Sequence, residues 1–208
     1  MSSHNWEKRY QQPHIARKTH DPSWLDRYSP YWEDVAPSPI LDLGCGTGTE
    51  TLYFLNKGFE VVSCDFSPSA LDILKAKDSR AVTKRLDISQ PLPFEDSRFG
   101  AIVASLSLHY FSREVTIQVI RELSRVLVPG GVLLCRVNSI KDVNYGAGQG
   151  IVLERNFYDY KGSHKRFFDA EDINFFFADW KLCDCGEVEI DRFGPVKRAW
   201  EFCARKEK

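Results

Sequence analysis

The sequence has almost no net charge and no long run of apolar residues. Lys and Arg total 28 and Asp and Glu total 29, so the formal net charge of the 208 residues is −1 at pH 7. A chain without a basic excess has no overall positive field to hold a nucleic-acid backbone, and we therefore expect no nucleic-acid partner. The apolar run Phe175–Phe177 lies between Asp172 and Asp179 and falls far short of the roughly 20 residues that cross a bilayer. We expect no membrane partner either.

The sequence also lacks the spacing of a metal site and the pattern of a secretory signal. Of its 6 cysteines, Cys183 and Cys185 are the only close pair, and one residue separates them where a zinc half-site needs about two to four. The segment Met1–Arg9 contains no apolar core of the kind that signal peptides carry. We therefore expect reduced thiols, no bound metal and a cytoplasmic location.

What is present is an alternation of strand-like and helix-like segments between Ile40 and Val137. Short apolar segments predict buried parallel strands, and the segments between them carry the caps and punctuation of helices. The predicted strands are Ile40–Leu43, Glu60–Asp65, Ala81–Leu86, Gly100–Ser105 and Gly131–Val137, and the predicted helices are Thr49–Lys57, Pro68–Lys77 and Arg113–Leu127. This alternation predicts one doubly wound α/β domain with helices on both faces of a parallel sheet.

The two ends of the chain differ from this alternation. Residues 1–39 combine polar and aromatic side chains at helical spacing, which predicts a helical lid segment beside the domain of residues 40–208. Lys181–Asp191 and Arg198–Arg205 are strand-like runs separated by a Gly-Pro turn, which predicts an antiparallel hairpin at the edge of the sheet. The polar stretch Asn138–Phe168 is too long for a simple loop, so we expect it to be functional or partly structured.

A glycine-rich turn follows the first predicted strand directly. The segment Gly44–Gly48 lies between a strand and a helix, a context in which the backbone approaches a ligand closely. The dinucleotide-binding fingerprint would place its last glycine at position 49, which is Thr49 in this chain, so the turn departs from that pattern. Asp65 ends the second strand about 20 residues downstream, where a carboxylate can accept hydrogen bonds from both hydroxyls of an adenosine ribose.

These segments resemble the motifs of class I S-adenosylmethionine-dependent methyltransferases. Leu41–Gly48 is similar to the first motif of that family, and Cys64–Ser67 is similar to the second. Leu86–Ile88 resembles the third-strand segment, Phe99–Leu108 the fourth strand, and Arg125–Gly131 the turn into the fifth strand. The resemblance implies a Rossmann-like, mostly parallel seven-stranded sheet in the order 3-2-1-4-5-7-6, with the last strand antiparallel, which agrees with the predicted hairpin.

The resemblance further implies S-adenosyl-L-methionine as the cofactor and a set of residues that contact it. Asp65 would hold the ribose, Asp87 would face the adenine amino group, and Ile88 would line the apolar face of the adenine. The alternative role for Asp87 is to cap an Asx turn. The predicted cofactor-binding residues are Tyr10, Asp42, Gly44, Cys45, Gly46, Thr49, Asp65, Phe66, Asp87, Ile88 and Ser105.

Methyl transfer from a sulfonium needs mainly a nucleophile held in line behind the methyl carbon, with water excluded. If a general base takes part, the candidates are His109, just after the fourth strand, and His164 in the long polar stretch. Tyr145 shares this rim of the sheet, and so does Arg136, which either clamps an anionic substrate or is solvated. We predict His109, His164 and Tyr145 as the catalytic residues.

Two features of the sequence bear on the identity of the methyl acceptor. Ser105–Leu108 stands where adenine and cytosine amino-methyltransferases usually carry Asn or Asp followed by Pro-Pro and an aromatic residue. Asn144–Gly146 and Gly162–His164 resemble small-molecule methyltransferases, including those linked to tellurite resistance. We therefore expect a small-molecule acceptor and a monomer or homodimer. The alternatives are a catalytically inactive cofactor-binding regulatory subunit and a protein or nucleic-acid methyltransferase.

Overall fold

The computed structural model describes residues 3–12, 20–35, 38–191 and 194–207. Its centre is a seven-stranded sheet in the order β3-β2-β1-β4-β5-β10-β9. The strands of this sheet are β1 Ile40–Leu43, β2 Val61–Asp65, β3 Val82–Arg85, β4 Phe99–Ser105, β5 Leu127–Asn138, β9 Trp180–Ile190 and β10 Lys197–Lys206. Strands β1 to β5 pair in parallel, and β10 is antiparallel to both of its neighbours. The predicted fold class and the implied strand order are confirmed.

Helices cover both faces of the sheet because the central strands are apolar on both faces. The helices are α1 Ser3–Tyr10, α2 Ser29–Trp32, α3 Thr49–Asn56, α4 Pro68–Lys77, α5 Arg113–Val126 and α6 Ala170–Phe176. Residues of α3 and α4 belong to the hydrophobic cluster on one face, and residues of α5 and α6 belong to the cluster on the other. Within the described residues, none of these helices is long and apolar enough to span a membrane.

Helix α4 begins where the sequence predicts it. The Oγ of Ser67 accepts a hydrogen bond of 3.1 Å from the backbone N–H of Ala70, and Pro68 occupies the first turn, where its missing N–H leaves no bond unmade. This cap matters for the site because it fixes the chain immediately after Asp65, the last residue of β2. The carboxyl end of β2 and the start of α4 therefore form one rigid corner.

The long polar stretch after β5 contains a second, smaller sheet that the sequence analysis did not predict strand by strand. This sheet consists of β6 Ile151–Glu154, β7 Phe157–Tyr160 and β8 Ser163–Arg166 in that order, and both pairings are antiparallel. Asn156 and Lys161 have positive φ angles of 57° and 54° in the two turns. The expectation of a partly structured segment was correct. Helix α6 was not predicted at all.

The N-terminal segment divides into two parts with different surroundings. Trp24, Tyr28 and Trp32 are at most 8% exposed and belong to the same hydrophobic cluster as α3 and α4. The expectation that all of residues 1–39 form a lid is therefore wrong for the aromatic stretch around α2, because its side chains complete the core of one face. Helix α1 lies over the ligand-binding edge, and its role as a lid stays a prediction.

A buried ion pair connects this N-terminal part to the middle of the sheet. Arg136 of β5 and Glu201 of β10 are cross-strand partners, and the Nε of Arg136 donates to Oε2 of Glu201 at 2.7 Å. The guanidinium also lies 4.2 Å from the ring centroid of Trp24, and the hydroxyl of Tyr28 donates to Oε1 of Glu201 at 3.3 Å. Arg136 is thus neither solvated nor a substrate clamp, in contrast to both roles considered from the sequence.

Candidate functional site

A cavity of about 1050 Å³ lies at the carboxyl ends of the parallel strands. This is the edge at which open α/β sheets bind ligands. Ligand pockets commonly measure about 300–1,000 Å³, so this cavity is at the upper end and has room for a cofactor together with part of a second molecule. We call the wall formed by α1 and by the residues after β1, β2 and β3 the cofactor side. We call the wall formed by the residues at the ends of β4 and β5 the acceptor side.

The structure brings together nearly all of the predicted site residues. Those that line the cavity are Tyr10, Gly44, Cys45, Gly46, Thr49, Asp65, Phe66, Asp87, Ile88, Ser105, His109, Tyr145 and His164. The exception is Asp42, which is 1% exposed and lies beneath the glycine turn rather than on the cavity wall. The roles assigned to these residues stay predictions, whereas their common location is a property of the fold.

The glycine turn on the cofactor side is shaped by backbone conformations that only glycine adopts easily. Gly44 and Gly46 have φ angles of +77° and +53°. A Cβ atom on Gly46 would lie 2.7 Å from the hydroxyl oxygen of Tyr10, and one on Gly44 would lie 2.4 Å from the Cβ of Ser107. The turn therefore presents bare backbone to the cavity, as a close-binding ligand requires.

Asp65 ties this turn to the start of α4. Its Oδ2 accepts a hydrogen bond of 2.9 Å from the backbone N–H of Gly46, and its Oδ1 accepts one of 2.9 Å from the N–H of Ser67. Burial raises the pKa of Asp65, whereas the backbone donors at Ser67 and Gly46 oppose that rise. Each carboxylate oxygen has lone pairs left for a further donor, such as a ribose hydroxyl.

Helix α1 forms part of the wall on the cofactor side. Trp6 and Tyr10 line the cavity, and their rings are 5.9 Å apart. The carboxylate of Glu7 accepts hydrogen bonds from the hydroxyls of Ser67, at 2.5 Å, and of Ser69. These bonds lower the pKa of Glu7. The helix is therefore attached to the start of α4 by a charged group that remains ionised at neutral pH.

Asp42 supports the glycine turn from below. Its Oδ2 accepts a hydrogen bond of 2.6 Å from the hydroxyl of Thr51 in α3, and that hydroxyl also lies 2.8 Å from the Oγ of Ser63. Burial, and then the carboxylate of Glu50, raises the pKa of Asp42. The prediction that Asp42 contacts the cofactor is not supported by this position, because the side chain points into the packed interior between β1 and α3.

Asp87 caps a turn and also lines the cavity, so its predicted contact with the adenine stays a prediction. Its Oδ1 accepts hydrogen bonds from the backbone N–H of Ser89, at 2.9 Å, and from the hydroxyl of Ser89, at 2.7 Å. This is an Asx turn. The residue nevertheless lines the cavity next to Ile88 and in company with Phe66, so the remaining carboxylate oxygen is available at the edge of the cofactor side.

The acceptor side contains buried polar atoms that have no hydrogen-bond partner within the described residues. They are Nδ1 of His109, Oδ1 of Asn138 and Oγ of Ser105. His109 is 2% exposed and Asn138 is 1% exposed. Burial, followed by Lys197 and Lys165, lowers the pKa of His109 well below 6.5, so its imidazole is neutral at pH 7.

The other two predicted catalytic residues lie near the opening of the cavity. The side chain of His164 is 53% exposed, and its Nε2 lies 3.9 Å from Oδ2 of Asp159. The hydroxyl of Tyr145 donates to the backbone oxygen of Pro195 at 3.0 Å. A tyrosine whose proton is engaged in this way is a weaker candidate for catalysis than the buried His109.

Several cavity residues could not be predicted from the sequence, and the most informative of them are cations. Arg9, Lys165 and Lys197 line the cavity. They come from α1, β8 and β10, three elements that are distant in sequence, so no local motif could indicate them. Asn138 was missed for a different reason: the predicted fifth strand ended one residue earlier, although the first polar residue after such a strand faces the ligand edge.

Comparisons with known proteins point to methyl transfer. A family model described as a methyltransferase domain matches residues 40–131. The tRNA N(3)-methylcytidine methyltransferase trm141 of Schizosaccharomyces pombe is 29% identical to this chain over 92% of this chain and 82% of that protein. The probable tRNA methyltransferase 9B of Homo sapiens is 32% identical over 64% of this chain, and the match spans only 30% of that protein's length.

Solved structures share the fold at lower identity. An S-adenosylmethionine-dependent methyltransferase from Methanosarcina mazei aligns with a TM-score of 0.71 at 20% identity, over 82% of this chain and 92% of that one. TehB from Haemophilus influenzae aligns with a TM-score of 0.67 at 19% identity, over 97% of this chain and 66% of that one. At such identities the likeness concerns the fold and not the substrate.

The relatives contradict the expected partner, which was a small molecule with no nucleic acid. Both sequence relatives are named as tRNA methyltransferases, and one of them matches along most of both chains. The physical reason for the error is that a net charge of −1 averages over the whole surface, whereas the lysines and the arginine at the cavity are a local feature. The oligomeric state, monomer or homodimer, stays a prediction.

Proposed function

Since the chain belongs to the class I S-adenosylmethionine-dependent methyltransferases, we propose that it transfers a methyl group to a nucleotide of tRNA. The enzyme class and the cofactor follow from the family. The nature of the acceptor is the new element of the proposal. It rests on the charge of the cavity rim, on the depth of the acceptor side, and on the names of the relatives that match along the chain.

The residues of the cofactor side fit S-adenosylmethionine. The bare backbone at Gly44 and Gly46 leaves the space that a Cβ would fill, and the carboxylate of Asp65 offers acceptors for a ribose. Ile88 supplies an apolar surface next to Asp87. When bound, the cofactor supplies a methyl group on a sulfonium sulfur, so that the lone pair of a nucleophile forms the new bond to carbon while the carbon–sulfur pair returns to sulfur.

The observation that carries the proposal is the group of cations at the cavity. Arg9, Lys165 and Lys197 all line it, and Lys161 lies close enough to influence the same charges. Burial, and then the positive charge of Lys197, lowers the pKa of Lys165. Asp142 partly offsets them through its 2.6 Å ion pair with Lys197. A polyanion bound at this rim would reduce the repulsion between these positive charges.

The geometry also sets how an RNA would have to bind. His109 and Asn138 are almost completely buried, so an acceptor atom beside them must come from a group that enters the cavity. A nucleobase inside a helix or stacked loop cannot do so unless it is turned out of its stack. Phosphates would then stay at the rim with the lysines, while a single base fills the acceptor side and excludes water together with Trp6 and Tyr10.

A methyl-transfer assay tests the proposal. Purified protein is incubated with methyl-labelled S-adenosylmethionine and either unmodified tRNA or a tRNA-free metabolite extract, and incorporation is counted in each. We expect label in tRNA. Label in the extract alone, together with normal cofactor binding, would overturn the proposed acceptor.

A charge variant with a matched control shows whether the rim binds the RNA. Lys165→Gln should raise the KM for tRNA and reduce the slope of log K against log salt by about one unit, since one phosphate contact is lost. Lys181→Gln removes an exposed lysine at the other edge of the sheet and should change neither quantity. Binding of S-adenosylhomocysteine should be the same in both variants.

A further inference from the structure

Two side chains of the acceptor side, His109 and Asn138, are buried with unpartnered hydrogen-bonding atoms. His109 follows β4 and Asn138 ends β5, two strands that are neighbours in the sheet. Within the described residues, neither Nδ1 of His109 nor Oδ1 of Asn138 has a hydrogen-bond partner, although both residues line the cavity. Their backbones are nevertheless held firmly, because the carbonyl of each accepts a hydrogen bond, from Arg166 at 2.8 Å and from Phe168 at 2.7 Å.

Such atoms are costly, because a buried polar group without a partner loses the hydrogen bonds that it makes to water in the unfolded chain. Folded proteins pair the great majority of them. The cofactor side follows this rule, as both oxygens of Asp65 already accept backbone hydrogen bonds. Unpaired atoms on the wall of a large cavity therefore indicate that a ligand supplies the partners.

The hydrogen-bonding capacity of the two atoms determines which groups the ligand must present. The amide oxygen of Asn138 only accepts hydrogen bonds. His109 is neutral at pH 7 because burial and the nearby Lys197 and Lys165 disfavour the imidazolium, so its Nδ1 accepts when the proton is on Nε2. Two acceptors on the wall of one cavity match a group with two donors, and a primary amine attached to an aromatic ring is such a group.

We propose that Asn138 and His109 bind the exocyclic amino group of the target base and so select cytosine or adenine. This inference rests on the proposed function, that the acceptor is an RNA nucleotide. In both bases the amino group adjoins a ring nitrogen that carries a lone pair and no proton. With the amino group held by the two acceptors, that ring nitrogen is the nucleophile.

The bond changes require no base. The lone pair of the ring nitrogen forms the bond to the methyl carbon, sulfur retains the pair of the broken bond, and no proton has to leave. The base becomes cationic, and its amino hydrogens become stronger donors. The acceptors on Asn138 and neutral His109 then stabilise the charge that develops, which a protonated histidine would oppose. His109 acts as a hydrogen-bond acceptor and not as a general base.

The same two acceptors disfavour uracil. In uracil the corresponding ring nitrogen bears a proton, and the adjacent ring position carries a carbonyl oxygen in place of the amino group. A carbonyl facing the Oδ1 of Asn138 would place two acceptors together without a hydrogen, so both would be left unpaired. The selection is thus a matter of donor and acceptor pattern and not of base size.

The first test identifies the product. Unmodified tRNA is methylated with deuterated-methyl S-adenosylmethionine, digested to nucleosides and analysed by mass spectrometry against standards. We expect cytidine or adenosine methylated on the ring nitrogen next to the amino group. A methyl group on uridine, guanosine or ribose would overturn the inference but leave the proposed function standing. If no tRNA is methylated while S-adenosylhomocysteine still binds, the proposed function itself has failed.

The second test assigns the residues. Asn138→Leu and His109→Leu should each lower kcat/KM for tRNA by roughly tenfold to a hundredfold, without weakening the binding of S-adenosylhomocysteine. His109→Asn should recover part of the activity, because an amide oxygen can take the place of Nδ1. Asn56→Ala removes an exposed asparagine on α3 that pairs with Arg80, and it should leave both quantities unchanged.

The third test separates recognition from a purely structural role. A stem-loop RNA is made in which the target base lacks its amino group, and it is compared with the normal RNA in wild type and in Asn138→Leu. Wild type should lose activity on the altered RNA, whereas the variant should lose little more, because the same hydrogen bond cannot be removed twice. Additive losses would show that Asn138 does not contact the amino group and would overturn the assignment.

Discussion

The two sides of the cavity differ in how far the protein satisfies its own polar groups. On the cofactor side, Asp65 accepts two backbone hydrogen bonds and Glu7 accepts the hydroxyls of Ser67 and Ser69. On the acceptor side, atoms of His109 and Asn138 have no partner within the described residues. The polar groups of the cofactor side thus have hydrogen-bond partners before a ligand binds. Those of the acceptor side would gain their partners from the molecule that binds there.

This difference fits the two kinds of ligand that a methyltransferase handles. The cofactor is the same in every cycle, and a rigid, internally bonded site lowers the ordering cost of binding it. The acceptor must be distinguished from close relatives, and discrimination is strongest where a wrong ligand leaves buried groups unpaired. Variants of the cofactor side should therefore alter binding of S-adenosylhomocysteine without any RNA present, and the following predictions test this in order of decreasing effect.

The largest loss of affinity is expected from Gly46→Val. A side chain at φ +53° strains the backbone by about 1–3 kcal/mol, and a Cβ 2.7 Å from the hydroxyl of Tyr10 displaces α1. Calorimetry with S-adenosylhomocysteine should detect no binding or very weak binding. Gly58→Val is the matched control: its φ is +87°, but nothing lies within 4 Å of a Cβ there, so it should lower stability and leave affinity intact. If a folded Gly46→Val protein bound S-adenosylhomocysteine with normal affinity, the glycine turn would not be part of the cofactor site.

A smaller loss is expected from Asp65→Ala. Two ribose hydroxyls lose their acceptor, and a hydrogen bond to a charged group contributes about 1.5–3 kcal/mol. The same calorimetric titration measures it. Asp78→Ala, which removes a carboxylate paired with Arg80 away from the cavity, should bind as wild type does. If Asp65→Ala and Asp78→Ala gave equal affinities, the assignment of the ribose to Asp65 would have to be abandoned.

Acid should weaken cofactor binding through the same carboxylate. Burial raises the pKa of Asp65 above 3.8, so the protein loses its anionic acceptor at a higher pH than an exposed aspartate would allow. The affinity for S-adenosylhomocysteine, measured from pH 7 downwards, should be constant and then fall as Asp65 takes up a proton. In Asp65→Asn this fall should disappear. A fall of the same size in the variant would trace the effect to another group.

The smallest effect is expected from loosening α1. Glu7→Ala removes the carboxylate that accepts hydrogen bonds from Ser67 and Ser69, and these bonds are only partly buried, so solvent screens them more than the buried bonds of Asp65. Hydrogen exchange should show that S-adenosylhomocysteine protects Ser3–Tyr10 in wild type and protects it less in the variant. Residues 23–35 should be equally protected with and without ligand, because Tyr28 and Trp32 are in the core. Identical exchange of Ser3–Tyr10 in both states would mean that α1 is not a lid.

Some of these features could be predicted from the sequence because they are local. A few consecutive residues are enough to predict the turn Gly44–Gly48, the strand that precedes it and the cap at Ser67. Asp65 follows from its position at the end of the next strand. The hairpin of β9 and β10 could be predicted in the same way, since two strand-like runs with a Gly-Pro turn between them leave few alternatives.

The features that were missed depend on tertiary burial. Trp24 and Trp32 belong to a segment whose mixture of polar and aromatic residues is typical of a surface cover. Their side chains nevertheless fill the core, because α3 and α4 leave an apolar groove there. Lys165 and Lys197 come together only through the packing of two separate sheets. The strand β6, with Ile151 68% exposed, gives no alternation of buried and exposed residues by which it could be recognised.

The buried pair of Arg136 and Glu201 has a consequence for the order of folding. If β10 slipped along β5 by two residues, the carboxylate would leave its partner, and an uncompensated charge in the interior costs about 3–5 kcal/mol. The ion pair thus favours one register of β10, the strand that inserts between β5 and β9. Because the hydrogen bond from Tyr28 to Glu201 joins residues 173 positions apart, we expect the aromatic segment around Trp24 to remain open until β10 has docked. In refolding followed by pulsed hydrogen exchange, amides of residues 23–35 should become protected together with those of β10, although nearly the whole chain separates them.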